Sequence, residues 1–278
     1  MASIEVRNVT KVFGRNEAAG LELVRQGVDK LAILARTGCT LGLHEVSLEI
    51  PGGEIFVIMG LSGSGKSTLV RHLNRLIDPS AGAIFFEGRD IMRFDARALR
   101  TFRRHSVSMV FQGFGLLPHR TVLQNVAFGL ITRGEHRDMA YPKALRWIAT
   151  VGLKGYETRY PAELSGGMRQ RVGLARALAA DPDVILMDEA FSALDPVIRV
   201  EMQDLLLELQ RTLRKTIVFV THDLDEAVRI GARVAVMKDG RVVQVDSPTM
   251  ILEHPADDYV ARFVRNGAHG ATFPTRDS

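Results

Sequence analysis

The chain has 278 residues, of which 46% are hydrophobic and 24% charged, a composition that excludes a disordered or low-complexity protein. It has 36 lysines and arginines and 32 acidic residues, a net charge of +4. So small an excess gives little support to a nucleic-acid partner, and it would also suit a protein at an anionic membrane face. The single cysteine, Cys39, excludes an internal disulfide, no apolar run reaches the length of a membrane span, and the first residues lack a signal-peptide pattern, so we expect a cytosolic protein.

The first fifty residues predict a β layer interrupted by a helix. Residues 4–9 alternate apolar and polar side chains, as a half-buried strand does, and residues 46–50 repeat this pattern. Between them, apolar residues recur at helical spacing over 21–35, with Gly38 as a stop. We expect one amphipathic helix at about 20–36 that packs on the domain, and docking on a partner or a membrane is the alternative.

A phosphate-binding loop is predicted at residues 60–68, which read GLSGSGKST and match G-x-x-x-x-G-K-[ST]. An apolar run at 55–59 predicts the buried strand before the loop, and helical spacing over 69–76 predicts the helix after it. Glycines let backbone N–H groups surround a phosphate, Lys66 adds a charge for the β- and γ-phosphates, and the Ser67 hydroxyl suits Mg²⁺. The expected ATP contacts in this loop are Gly60, Leu61, Ser62, Gly63, Ser64, Gly65, Lys66, Ser67 and Thr68.

The rest of the chain alternates short apolar runs with helical patterns. Strands are predicted at 83–86, 106–111, 184–187, 216–220, 234–237 and 242–245, and helices at 97–104, 200–213 and 224–230. Strand signals vanish after residue 113. The sequence therefore predicts an α/β fold with a mostly parallel sheet, an N-terminal antiparallel β layer and an inserted helical subdomain. We expect a single domain over 1–266, with the insert at about 113–178, and a polar tail at 267–278.

Two acids, Asp188 and Glu189, directly follow the apolar run at 184–187. A buried strand would deliver them to the edge of the sheet where open α/β folds bind ligands. Asp188 can hold Mg²⁺, and Glu189 can accept a proton from the water that attacks the γ-phosphate. The alternative is a pair of surface acids that cap the next helix, and the phosphate-binding loop favours the functional interpretation.

A second anion site is predicted at residues 164–167, which read LSGG and open a helix rich in arginine and alanine. The Ser165 hydroxyl, free backbone N–H groups and the positive end of the helix would form it. A simple kinase or GTPase has no need of a second anion site. The alternative is an ordinary helix that Ser165 caps.

The order of these motifs over about 4–265 resembles the nucleotide-binding subunit of an ABC transporter, in which LSGG is the family signature. The resemblance implies that Phe13 stacks on adenine and that Gln112 links the γ-phosphate site to the permease contact. It also implies that Asp195 lies in the segment that crosses to a partner subunit and that His222 holds the γ-phosphate. By this resemblance, the catalytic residues are Glu189, His222 and Gln112, and the metal site comprises Ser67, Gln112 and Asp188.

The resemblance also implies a head-to-tail dimer with ATP and Mg²⁺ at the interface. Ser165, Gly166, Gly167 and Gln170 of one subunit would then face the ATP that the other subunit holds. The implied partners are a second copy of the chain, an integral-membrane permease and a periplasmic or extracellular solute-binding protein, with no nucleic acid. The implied location is peripheral, on the cytoplasmic face of the inner (plasma) membrane.

The insert at 21–43 and the sequences around the motifs are similar to the ATPase subunits of glycine betaine/proline importers, the quaternary-amine uptake group. We therefore expect ATP hydrolysis that drives uptake of a compatible solute such as glycine betaine, choline or proline. Better-known members continue into paired regulatory CBS domains, so sensing through such domains is not expected in this sequence. The alternatives are an amino-acid (histidine/proline) importer ATPase, a soluble ABC ATPase of DNA repair or translation, and a small-metabolite kinase with a P-loop.

Overall fold

A computed structural model describes residues 1–267, in which short strands alternate with helices. The strands are β1 (Ile4–Phe13), β2 (Thr40–Ile50), β3 (Ile55–Met59), β4 (Ala81–Phe86), β5 (Arg89–Asp90), β6 (Val107–Val110), β7 (Val184–Asp188), β8 (Thr216–Thr221), β9 (Arg233–Lys238) and β10 (Arg241–Asp246). The α-helices are α1 (Glu17–Arg25), α2 (Lys30–Thr37), α3 (Lys66–Leu73), α4 (Ala96–His105), α5 (Val122–Val126), α6 (Phe128–Thr132), α7 (Arg137–Thr150), α8 (Gly166–Ala179), α9 (Pro196–Leu213), α10 (Leu224–Ile230), α11 (Pro248–Glu253) and α12 (Asp258–Gly267). Beyond Gly267, the predicted polar tail lies outside the described residues.

The strands form two sheets. Four strands make an antiparallel N-terminal layer in the order β2-β1-β4-β5. Six strands make the second sheet in the order β10-β9-β3-β8-β7-β6, which is parallel from β9 to β6 and antiparallel only between β10 and β9. Both the mostly parallel sheet and the N-terminal antiparallel layer are thus confirmed.

The core fills both faces of the parallel sheet. Strands β3, β7 and β8 are buried at every residue, which explains why they read as continuous apolar runs without alternation. Phe56 and Ile58 of β3 pack toward the antiparallel layer, whereas Val57 and Met59 pack against the opposite cluster with α9 and α10. The parallel strands are therefore fixed from both sides, and their carboxyl ends share one edge.

Helices α5 to α8 share a separate core. Val122, Val126, Ala144, Ile148 and Val172 are fully buried in it. Because these helices follow β6 and form their own core, the sequence shows no strand pattern between β6 and β7. No helix within residues 1–267 is both long and apolar enough to cross a bilayer.

The prediction of one helix at about 20–36 is wrong, because the segment forms two helices, α1 and α2. Gly27 has a φ of +75° at the break, and Asp29 caps the start of α2. The apolar spacing continues across the break because both helices bury side chains in the same cluster on β1 and β2. Gly38 ends α2 with a φ of +67°, as predicted. The sequence analysis also missed α11 and α12, which follow the last strand.

Candidate nucleotide-binding site

The phosphate-binding loop joins β3 to α3, as the sequence predicted. Gly65 precedes α3 with a φ of +102°, and a Cβ at this position would lie 2.8 Å from the carbonyl oxygen of Gly42. Gly60 also has a positive φ, and a Cβ there would lie 2.3 Å from the carbonyl oxygen of Met237. Only glycine fits both positions without displacing backbone, so the loop conformation explains these residue types.

Lys66 is held inside the loop. Its Nζ donates hydrogen bonds to the carbonyl oxygens of Gly60 (2.8 Å) and Leu61 (3.0 Å) and lies 3.8 Å from Oε1 of Glu189. Burial lowers the pKa of Lys66, and the carboxylates of Glu189 and Asp188 oppose this change. A bound phosphate would offer the ammonium oxygen acceptors in place of these carbonyls.

Two oxygen-bearing side chains meet at the carboxyl end of β7. The Ser67 hydroxyl donates to Oδ1 of Asp188 at 2.7 Å, and Nη2 of Arg71 lies 3.3 Å from Oδ2. These oxygens suit Mg²⁺, which prefers hard ligands and completes its shell with water and substrate phosphates. Within residues 1–267, no group of three or more His, Cys, Asp or Glu side chains could hold a metal ion.

Arg71 was missed in the sequence analysis. It lies four residues after Ser67, so both face the same side of α3. That spacing is the signal that could have identified it.

Glu189 is the point where the predicted catalytic side chains converge. Nε2 of Gln112 donates to its Oε2 at 3.3 Å, and Nδ1 of His222 lies 3.8 Å from the same oxygen. Its backbone has a φ of +46°, uncommon for a residue other than glycine, and its N–H donates to the carbonyl oxygen of Val220 at 3.2 Å. Gln112 therefore contacts the predicted base, and no hydrogen bond links it to Asp188 of the predicted metal site within residues 1–267.

The residues beside His222 are fixed by a buried network. The hydroxyl of Thr221 donates to Oε2 of Glu226 at 2.5 Å and accepts from the N–H of Asp223 at 3.0 Å. Nε2 of Gln203 donates to Oε1 of Glu226 at 3.1 Å. Burial raises the pKa of Glu226, although the hydrogen bonds from Thr221 and Gln203 oppose the change. The sequence analysis did not identify Glu226.

A cleft of about 470 Å³ opens at this edge of the sheet. Its volume falls within the roughly 300–1,000 Å³ typical of small-molecule sites. Phe13 is 38% exposed in the cleft, and its ring lies so close to Gly42 that a Cβ there would be 2.6 Å from Cε2 of the ring. The other lining residues are Lys30, Thr40, Leu41, Gly42, Ser62, Gly63, Gly65, Lys66, Ser67, Thr68, Gln112 and Glu189. Among the predicted ATP contacts, Gly60, Leu61 and Ser64 do not line it.

The LSGG segment does not contribute to this cleft. Ser165 is exposed and caps α8, where its Oγ accepts from the N–H of Met168 at 3.2 Å. Gly166 and Gly167 begin the helix, and Gly167 lies against Ile198 of α9. Asp195 caps α9, since its Oδ1 accepts from the N–H of Ile198 at 3.0 Å. The second predicted anion site is therefore separate from the first in this protomer.

Gln170, which the resemblance assigns to the ATP of another subunit, is buried in this protomer, and that contact stays a prediction. Gln170 is 0% exposed. Neither atom of its amide group has a hydrogen-bond partner within residues 1–267. Gln170 lies on the inner face of α8, whereas Ser165 lies at its exposed start.

The phosphate loop, the acid pair on the neighbouring strand and the parallel sheet define a P-loop nucleoside triphosphatase. The sequence model of the family described as "ABC transporter" matches residues 43–192. The chain belongs to this family, as a member of its ATP-hydrolysing, ATP-binding proteins. The fold class and the type of enzyme expected from the sequence are thereby confirmed.

Two curated relatives and one solved structure illustrate the similarity. The chain is 53% identical over 274 residues to the glycine betaine/proline betaine transport system ATP-binding protein ProV of Escherichia coli (strain K12), covering 99% of this chain and 68% of ProV. It is 53% identical over 266 residues to the glycine betaine/carnitine transport ATP-binding protein GbuA of Listeria monocytogenes, covering 96% of this chain and 67% of GbuA. The chain thus spans about two thirds of the length of each. The ATP-binding cassette MJ0796, solved as a dimer in a post-hydrolysis state bound to ADP and Pi, is 32% identical with a TM-score of 0.74, over 88% of this chain and 98% of MJ0796.

Proposed function

We propose that the chain hydrolyses ATP to drive uptake of a compatible solute, such as glycine betaine, choline or proline, through a separate permease. The observation that carries the hydrolytic part is the convergence of Gln112, His222 and Lys66 on the carboxylate of Glu189 beside the phosphate-binding loop. The similarity to two betaine transport proteins over 96% and 99% of the chain supports the solute class.

In the proposed reaction, the loop N–H groups and Lys66 bind the β- and γ-phosphates. Ser67 and Asp188 would hold Mg²⁺, which would neutralise charge on the phosphates. Glu189 accepts the proton of the attacking water, because its carboxylate lies beside the loop, 3.8 Å from Nζ of Lys66, and its backbone N–H is bound to Val220 of β8. Gln112 and His222 restrict the position of that carboxylate and face the γ-phosphate.

We infer that the functional unit is a head-to-tail dimer in which Ser165, Gly166 and Gly167 face the ATP of the partner subunit. Two observations support this arrangement: Ser165 is exposed yet does not line its own cleft, and the solved relative MJ0796 is a dimer. ATP then favours the closed dimer because it contacts both subunits only in that state. Hydrolysis removes the bridging phosphate, and the dimer opens.

The proposed partners are an integral-membrane permease and a periplasmic or extracellular solute-binding protein. With these partners, the chain would lie peripherally on the cytoplasmic face of the inner membrane. The net charge of +4 suits an anionic membrane surface. Solute specificity then resides in the partners, since the described cleft is a nucleotide site.

Uptake of labelled glycine betaine, choline, proline and histidine tests this proposal in cells with and without the chain, with Glu189→Gln as the inactive control. Loss of betaine or choline uptake in both the deletion and the Glu189→Gln strain is the expected result. Loss of histidine uptake, with or without proline uptake, while betaine and choline uptake stay unchanged would identify an amino-acid importer instead. Unchanged uptake of all four solutes would contradict the assigned solute class.

A further inference from the structure

Helices α1 and α2 have no role in the reaction proposed above, yet they are packed firmly on the N-terminal sheet. Ile33 of α2 is fully buried and clusters with Leu23 and Val24 of α1. Val12 of β1 and Leu41 of β2 complete the contact. Because the cluster joins both helices to both strands, α2 holds a fixed position relative to the sheet.

Polar contacts extend this attachment toward the Phe13 side of the cleft. Glu17 of α1 accepts hydrogen bonds from Nζ of Lys11, at 3.0 Å, and from the hydroxyl of Ser80. The same Lys11 ammonium lies 5.4 Å from the centroid of the Phe13 ring. The helix pair is therefore tied to the residue that the resemblance assigns to the adenine.

Lys30, the first residue of α2, lines the nucleotide cleft together with Phe13 and the phosphate-binding loop. Its position is fixed by Asp29, whose Oδ1 accepts from the N–H groups of Leu31 (2.9 Å) and Ala32 (3.0 Å). Within residues 1–267, the side chain of Lys30 forms no hydrogen bond and no ion pair.

The charges that line the cleft are those of Lys30, Lys66 and Glu189. The charge of Lys66 is opposed by Glu189 at 3.8 Å, so these two largely offset each other. Lys30 remains as a lining cation without a matched carboxylate in the described part of the chain. An ammonium group without a neighbouring carboxylate attracts an anionic ligand, because no acidic side chain of the protein already neutralises its charge.

We propose that Lys30 binds the nucleotide, so that α2 forms one wall of the ATP site. The ligand class is nucleoside triphosphates and diphosphates, and the contact increases the affinity for both. The inference rests on the proposed function and gives the α1–α2 pair a role in it, namely to carry a second cationic side chain to the nucleotide. It replaces docking on a partner or a membrane as the reason for the insertion.

Calorimetric titration of the full chain with ADP and with a non-hydrolysable ATP analogue tests the inference. Lys30→Gln is expected to raise both dissociation constants by roughly 3- to 10-fold, the effect of one charge-assisted contact in a partly exposed site. Lys30→Arg keeps the charge and should stay within about 2-fold of the unaltered chain. The difference between the unaltered chain and Lys30→Gln should shrink at high salt, because the contact is partly screened.

Arg36→Gln is the matched control, since Arg36 is an exposed cation of the same helix that does not line the cleft. Equal affinities for the unaltered chain and Lys30→Gln would overturn the inference. An equal loss of nucleotide affinity in Arg36→Gln would overturn it as well, because the lower net charge of the chain would then explain the effect without a contact from Lys30. Lys66→Ala separates the two proposals: if it leaves nucleotide binding intact, the proposed nucleotide site itself fails, whatever Lys30 does.

Discussion

The substitution Gly167→Ala tests whether packing against α9 positions the start of α8. A Cβ at this position would lie 2.5 Å from Cγ2 of Ile198, about 1 Å or more inside the roughly 3.5–4.0 Å at which carbon atoms make contact. Gly167→Ala should therefore force a shift that costs about 1–3 kcal/mol of stability. Replacing a helical glycine by alanine also stabilises the helix by about 0.5–1 kcal/mol, so we expect a net loss of about 0–2.5 kcal/mol, that is, about 1–3 kcal/mol less stability than the same replacement without a clash.

Equilibrium urea unfolding measures this loss, and the neighbouring glycine supplies the control. A Cβ at Gly166 would lie 4.0 Å from a methyl carbon of Leu194, an ordinary contact distance, so Gly166→Ala should be neutral or slightly stabilising. On an Ile198→Ala background, the cost of Gly167→Ala should largely disappear, because the clashing methyl is gone. The packing argument is refuted if Gly167→Ala is as stable as Gly166→Ala, or if its cost is unchanged on that background.

Three further changes probe other parts of the structure. Ser165→Arg should leave nucleotide binding by the single subunit intact and abolish ATP-dependent dimers in light scattering; dimers that still form would refute the assignment of Ser165 to the interface. Ile33→Ala should lower the unfolding free energy by about 2–4 kcal/mol, because Ile33 is fully buried, and a loss below about 1 kcal/mol in urea unfolding would show that α2 is not packed as described. Burial raises the folded-state pKa of Glu226, so the stability this group contributes is complete below pH 4.5 and is lost as pH rises through the raised pKa. The stability of the unaltered chain relative to Glu226→Gln should therefore fall as pH rises above 4.5, and a difference that does not vary with pH would contradict the burial argument.

The sequence predicted the parallel sheet and the residues that follow its strands because those features are local. A buried strand gives an uninterrupted apolar run, and parallel strands bring their carboxyl ends to one edge, so local patterns suffice to place Lys66 and Asp188 together. His222 followed from the resemblance, and so did Gln112. The meeting of its side chain with Glu189 is a contact across 77 residues, which periodicity does not reveal.

The features that the sequence did not predict depend on tertiary contacts. Gly27 breaks the first helix, but the apolar spacing hides the break because α1 and α2 bury into one cluster. The burial of Gln170 on the inner face of α8 is likewise a matter of tertiary packing. Lys30 lies near the phosphate-binding loop only because α2 packs on β1 and β2.

The most direct test of the account is phosphate release from ATP by the unaltered chain and by Glu189→Gln, with ATP binding measured in both. Loss of the general base should lower the turnover rate by about 10²- to 10⁴-fold and leave ATP affinity within a few-fold, so that ATP-bound dimers accumulate. Turnover by Glu189→Gln near that of the unaltered chain would contradict the assignment of Glu189 as the base and, with it, the proposed mechanism.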